Sequence, residues 1–178
     1  LMSKEIWIWA EQRQGNLSPV TFELLGKGRE LSKKLGGKLA AALIGSEVRE
    51  LAFELIDYGC DRVYVAEDAR LSLYQGDFYA NLLARLASEN KPEIVLWGAT
   101  TIGKELAARV AAKLKTGLTA HCIDLYIDAI DGEPRLVQVV PGLGGNTALK
   151  ILSNTKPQMA TVKPGLMAKP AQVRVEGE

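Results

Sequence analysis

The run Gly98-Ala99-Thr100-Thr101-Ile102-Gly103-Lys104-Glu105 carries the spacing GxxxxGK, in which backbone N–H groups and a lysine can surround a phosphate. It stands between an apolar run and a helical pattern, so the helix N-terminus would add its partial positive charge. The last position breaks the pattern. A Ser or Thr hydroxyl there would hold magnesium, whereas Glu105 turns a carboxylate toward the phosphates. Two readings stand side by side. One is a plain strand-to-helix turn with Glu105 favourably near a helix N-terminus. The other is a nucleotide pocket built on Gly98, Thr100, Thr101, Gly103 and Lys104, at the carboxyl end of a strand where open α/β sheets take ligands. Hydrolysis at such a pocket would lack both a base and a magnesium ligand.

The remaining chemical candidates are weaker. Pro141-Gly142-Leu143-Gly144-Gly145-Asn146 does not satisfy GxGxxG, because Thr147 takes the sixth place; it reads as a tight turn with Asn146 capping the segment that follows. His121 and Cys122 are adjacent, so on a strand they point to opposite faces and cannot form a nucleophile–base pair. Cys60, behind Gly59 at a helix end, reads as a small buried filler. Glu67-Asp68 stands at a strand's carboxyl end, a functional address, but neighbouring loop carboxylates read as solvated. One histidine and two cysteines are too few soft ligands for a structural zinc site. No catalytic or metal-binding residue emerges.

The elements that must position these residues alternate strand and helix. Lys4–Ala10 reads as a strand, Glu11–Leu17 as a polar loop, and Ser18-Pro19 as the N-cap and first residue of a helix. Val20, Leu24, Gly28, Leu31 and Leu35 share one face of that helix, with Gly28 where its backbone nears a sheet, and Gly36-Gly37 ends it. Lys38–Ile44 is a near-continuous apolar run, as in a strand covered on both sides. Ser46 is placed to cap a helix with Val48, Leu51, Ala52 and Leu55 inward. Arg62–Ala66 and Glu93–Trp97 are further strands; Asp77–Asn90, with Phe78, Leu82, Leu83 and Leu86 inward, and a segment ending near Lys115 are further helices. Four strand-to-helix units in series predict an α/β fold, a mostly parallel sheet with helices on both faces. Cys122–Asp128 then alternates like a half-exposed strand, Asp131-Gly132 is a hairpin turn, and Leu136–Val140 its return strand. Gln158–Val162 is one more strand, and Trp7 and Trp9 share a core or interface face of the first.

Composition sets the outer bounds. The 178 residues suit one domain with an appendage, and 47% apolar residues are too many for a disordered chain. A net charge of +1 offers nucleic acid or an anionic membrane no general attraction. Two cysteines make no disulfide framework, and no stretch approaches a membrane span or a signal core, so a cytoplasmic protein is expected. Leu1 ahead of Met2 reads as a cloning remnant.

Taken in order, several of these stretches resemble the electron transfer flavoprotein alpha subunit. The run from Gly98 to Leu114 carries the likeness, with Gly144-Gly145-Asn146 and Ala148, and then Pro157 to Gly165. The Leu17-Ser18-Pro19-Val20-Thr21 helix start and Tyr58-Gly59-Cys60-Asp61-Arg62-Val63 fit too. The resemblance spans residues 4 to 165 and implies the subunit's N-terminal domain, with an adenine-nucleotide alpha-hydrolase-like, Rossmann-like fold over 1–165. It implies further that 166–178 is a linker toward a C-terminal domain that holds FAD, so that no FAD-binding residue falls in this chain. The implied partner is a beta subunit, with dehydrogenases (such as those acting on acyl-CoA) and a quinone reductase or other acceptor reached through the complex. Alone, the chain would be free to form a homodimer. The role implied is a non-catalytic scaffold; the rival is a free-standing adenine-nucleotide-binding module using the 98–104 loop. Val140-Pro141, where the family has Arg-Pro, and Lys163, where Arg is common, depart from the pattern at partner-facing polar contacts.

Overall fold

Alternation along the first strand creates the two faces of the molecule. In β1 (Glu5–Trp9), Ile6 and Ile8 enter one apolar core and Trp7 and Trp9 the other, so the strand is buried on both sides. The computed structural model describes residues 4–172; the Leu1-Met2 start and the end of the expected linker lie outside the described residues. After β1 come β2 (Gln12–Arg13), β3 (Asn16–Leu17), α1 (Pro19–Leu35), β4 (Lys38–Gly45), α2 (Arg49–Asp57) and β5 (Arg62–Glu67). A single 3-10 turn (Ala69–Leu71) leads to α3 (Gly76–Asn90), β6 (Ile94–Gly98), α4 (Thr101–Leu114) and β7 (Leu118–Cys122). The chain then runs through β8 (Asp124–Ile130), β9 (Glu133–Pro141), β10 (Ala148–Ile151) and β11 (Gln158–Val162).

Six strands form one parallel sheet in the order β5-β4-β1-β6-β11-β7. Leu24, Leu31, Leu51 and Leu55 from α1 and α2 pack with Ile6 and Ile8, whereas Tyr79, Leu83, Leu106 and Val110 from α3 and α4 pack with Trp7 and Trp9. The α/β fold with helices on both faces is therefore as expected. Gly28 is needed as glycine: a Cβ there would come 2.6 Å from Leu39 Cδ1, so α1 lies tight on β4. Gly36 ends α1 in the left-handed region at φ 65.

Several expectations are corrected. The 11–17 loop contains the small β2–β3 hairpin, turned by Gln14 and Gly15 at φ 51 and 76. Ser46 does not cap α2; the helix begins three residues later, and its first N–H groups are taken by Glu67, whose Oε2 accepts from Val48 and Arg49 at 2.9 and 3.1 Å. The face of α3 is rotated: Tyr79, Ala80, Leu83, Ala84 and Ala87 are buried while Phe78 is 37% exposed. Because α3 packs on α4 as well as the sheet, small alanines occupy the close approaches and bulkier Leu82 and Leu86 flank them. Cys122 ends the parallel edge strand β7, and the antiparallel strand begins only at Asp124.

The Asp131-Gly132 turn, at φ 54 and 83, joins β8 and β9 as expected, and β10 adds an unforeseen third strand in the order β10-β9-β8. The glycine-rich loop is the turn between β9 and β10, closed by Gly142 N–H donating to Thr147 O at 2.8 Å. A strand follows it, so Asn146 has no helix to cap. Leu125 and Leu136 sink this small sheet into the α1 side of the core, while all four residues of β10 are exposed.

Candidate functional site

In the strand order β4-β1-β6 the chain leaves β1 in one direction through α1 and returns on the other side at β6. Ligands of open α/β sheets enter where the order reverses, at the carboxyl ends of the strands. Two clefts open there. One, of about 630 Å³, lies among Glu11, Ser18, Val20, Glu23, Thr100 and Met167. The other, of about 600 Å³, lies among Trp9, Gln12, Ile44, Ser46, Tyr74 and Ile102. Glu11, two residues past the end of β1, lines both.

Glu11 is held by the starts of two helices. Its Oε2 accepts from Thr100 Oγ1 at 2.6 Å, and its Oε1 from Ser18 Oγ at 3.4 Å. Thr100 is the N-cap of α4, and its Oγ1 in turn accepts the N–H of Gly103 at 2.9 Å. The Glu11 carbonyl anchors α1, accepting from Ser18 N at 2.8 Å and Thr21 Oγ1 at 2.9 Å. A side-chain anion thus sits beside the N-caps of α1 and α4, where the helix dipoles favour negative charge.

The predicted phosphate-loop residues do not converge on a ligand site. Gly98 closes β6 against Val20, and only Ala99 and Thr100 separate strand from helix. Ala99 N–H donates to Val162 O at 2.8 Å, Gly103 N–H to the Thr100 side chain, and Lys104 N–H to Thr100 O at 3.0 Å. Thr101 and Lys104 are exposed on the first turn of α4, and of the five residues only Thr100 lines either cleft. A Cβ on Gly103 would run into Gly98 O, so this glycine serves strand–helix packing. The GxxxxGK spacing here forms a capped helix start, in which the Ala99, Gly103 and Lys104 N–H groups are bonded within the chain.

The other singled-out residues resolve into structure. Glu67 caps α2, and Asp68 caps the 3-10 turn while the Arg70 side chain and N–H hold its carboxyl well below the usual range. Glu105 ties α4 to the 74–77 segment: Tyr74 Oη donates to it at 3.2 Å, and Arg109 bridges it at 2.8 Å to Asp77 at 2.6 Å. Burial and that carboxylate push the Tyr74 phenol up to about 12. His121 is exposed and Cys122 buried, on opposite sides as expected; a positive φ of 58 at His121 goes with a register shift against β11. Burial pushes both Cys60 and Cys122 up to about 12, so each is a filler and not a nucleophile. Among the described residues no cluster of His, Cys, Asp and Glu could hold a metal ion, and no helix is long and apolar enough to cross a membrane. Sequence reasoning missed Glu11 and Glu23, and read Glu67 as solvated where it caps α2. For Glu11 the signal was an acidic residue directly past the first strand's carboxyl end.

Comparison with known proteins agrees with this architecture. The electron transfer flavoprotein domain profile matches residues 6–177. The chain is 47% identical over 165 residues to the electron transfer flavoprotein subunit alpha of Thermoanaerobacterium thermosaccharolyticum, covering 92% of this chain and 49% of that protein. It is 44% identical over 167 residues to the subunit alpha of Clostridium acetobutylicum, covering 93% and 49%. It is also 38% identical over 187 residues to the acryloyl-CoA reductase electron transfer subunit beta of Anaerotignum propionicum, covering 93% and 51%. The chain spans about half the length of the curated relatives it matches.

Proposed function

Because the chain belongs to the electron transfer flavoprotein family, we propose that it acts as the scaffold half of an alpha-type subunit, docking a beta-type partner and placing a flavin domain while performing no chemistry itself. The observation that carries this reading is the β8–β10 sheet. Its outer strand β10 is paired on one side only, and Leu149 and Ile151 on it are 54% and 36% exposed. Leu143, in the turn before it, is fully exposed, and Leu152 follows directly. An open strand edge with exposed leucines is a surface that a stable soluble protein covers with a partner.

The helix ends support placing FAD outside these residues. A dinucleotide pyrophosphate needs free N–H donors at a helix N-terminus. At α2 the Val48 and Arg49 N–H groups are taken by Glu67, and at α4 the Gly103 N–H is taken by Thr100 with the Glu11 carboxylate behind it, which disfavours a pyrophosphate at these two helix starts. In the complete carrier, electrons would come from dehydrogenases such as those acting on acyl-CoA and pass to a quinone reductase or other acceptor. The kinship with an acryloyl-CoA reductase electron transfer subunit supports electron exchange with an enzyme acting on acyl-CoA.

The test is co-purification with a tagged beta-type subunit. The wild-type chain should co-elute, and Leu149→Lys with Ile151→Lys should abolish co-elution with an unchanged circular dichroism spectrum. Failure of the wild type to bind removes the partner, and binding by the folded double variant moves the interface elsewhere. Chromatography of nucleotides released by denaturing the purified chain tests the cofactor assignment. None is expected, and stoichiometric AMP, ATP or FAD overturns it.

A further inference from the structure

Past Lys163 the chain turns back along α1, including residues 166–170 of the expected linker. Lys163 N–H continues the parallel sheet by donating to Cys122 O at 3.0 Å. The chain then turns at Gly165, where φ is 87. Gly165 N–H donates to both oxygens of Glu23 at 3.0 Å each, and Met167 N–H donates to Oε2 at 3.1 Å. Glu23 is 4% exposed, and among the described residues no lysine or arginine pairs with it. A buried carboxylate without a cation is costly unless N–H donors satisfy it. Here those donors come from the returning segment alone, so the charge and the segment hold each other in place.

Two further contacts lie on the same line. Gly26, nearly one helical turn past Glu23, leaves room for Ala168 O and Pro170 directly above its Cα; a Cβ would run into that carbonyl. The Met167 side chain is 9% exposed and joins the α1-side core. Pro164, Gly165, Met167 and Lys169 form one wall of the 630 Å³ cleft whose other wall holds Glu11 and Thr100.

We propose that Glu23 is a latch: its carboxylate holds residues 164–170 as a strap across α1, closing one side of the switch-point cleft and setting where the polypeptide beyond Pro170 departs. The strap opens as a unit when the latch is removed, and the sheet beneath stays intact. None of this depends on the partner reading above.

Amide hydrogen exchange of the chain, followed by NMR, tests it. In Glu23→Ala the Gly165 and Met167 amides should exchange roughly 10- to 100-fold faster, the range set by losing hydrogen bonds to a charged acceptor. Lys163, bonded to Cys122 rather than to Glu23, should keep its protection. Unchanged protection at 165 and 167 overturns the latch. Equal acceleration at Lys163 and through the sheet overturns it as well, since Glu23 would then serve only global stability. Gly26→Ala is the second variant, because it leaves Glu23 in place, improves helix propensity and lifts the strap sterically. Met167 should lose protection there by at least about tenfold while α1 amides keep theirs. A Met167 amide that stays protected in Gly26→Ala overturns the placement of the strap on the helix.

Discussion

Replacing Thr100 by valine removes one hydroxyl that serves two elements, and its cost can be worked from the geometry. The hydroxyl caps α4 by accepting Gly103 N–H at 2.9 Å, a bond worth about 1 kcal/mol at an N-cap. It also donates to Glu11 Oε2 at 2.6 Å, a charge-assisted bond worth roughly 1.5–3 kcal/mol, with the lower end fitting a part-buried site. Valine keeps the shape and β-branching, so packing against β6 contributes little. The expected loss is about 2–3 kcal/mol, or roughly 5–10 °C in Tm for a chain of this size. Thr100→Ser keeps both bonds and should stay within about 0.5 kcal/mol of wild type. Urea unfolding by circular dichroism, with Glu11→Gln and the Thr100→Val/Glu11→Gln pair completing a double-mutant cycle, isolates the Glu11 term. A coupling of about 1 kcal/mol is expected. A Thr100→Val loss below about 0.5 kcal/mol, or a coupling indistinguishable from zero, would refute the claim that this hydroxyl joins the two helix starts.

Two other outcomes follow from titration. Both cysteines, buried and pushed up to about 12, should resist a thiol reagent at pH about 8 in the native protein and react fully in denaturant; rapid native labelling of either would contradict the burial argument. Burial alone would raise Asp61, but the Arg29 guanidinium and Leu39 N–H outweigh it and hold the carboxyl below its ordinary 3.8. Its stabilisation is therefore present above pH 3.8 and lost as pH falls through the lower folded value. Asp61→Asn should be less stable than wild type at neutral pH, with the gap closing below pH about 4; a gap constant with pH would show that the pair contributes no proton linkage.

What the sequence by itself determined was local. The two-sided burial of β1, the Ser18-Pro19 start and Gly36 stop of α1, and the Asp131-Gly132 hairpin each rest on a few neighbouring residues, whose periodicity and turn chemistry act wherever the chain goes. The ordered motifs from Gly98 to Gly165 likewise sufficed for the family. Tertiary structure alone decided which groups meet at the carboxyl edge. Glu11 reaches Thr100 across 89 positions and Glu23 reaches Gly165 across 142, so no window of sequence contains both partners. That is why GxxxxGK looked like a phosphate loop: its spacing is local, but the carboxylate beside it comes from the end of β1, a neighbour of β6 in the sheet and distant in sequence. The rotated face of α3 has the same origin, since a helix wedged between a sheet and α4 turns its alanines inward whatever its own hydrophobic stripe suggests. Crossovers that bring distant strand ends together are set by how the helices pack, and the edge they build exists only once the chain is folded.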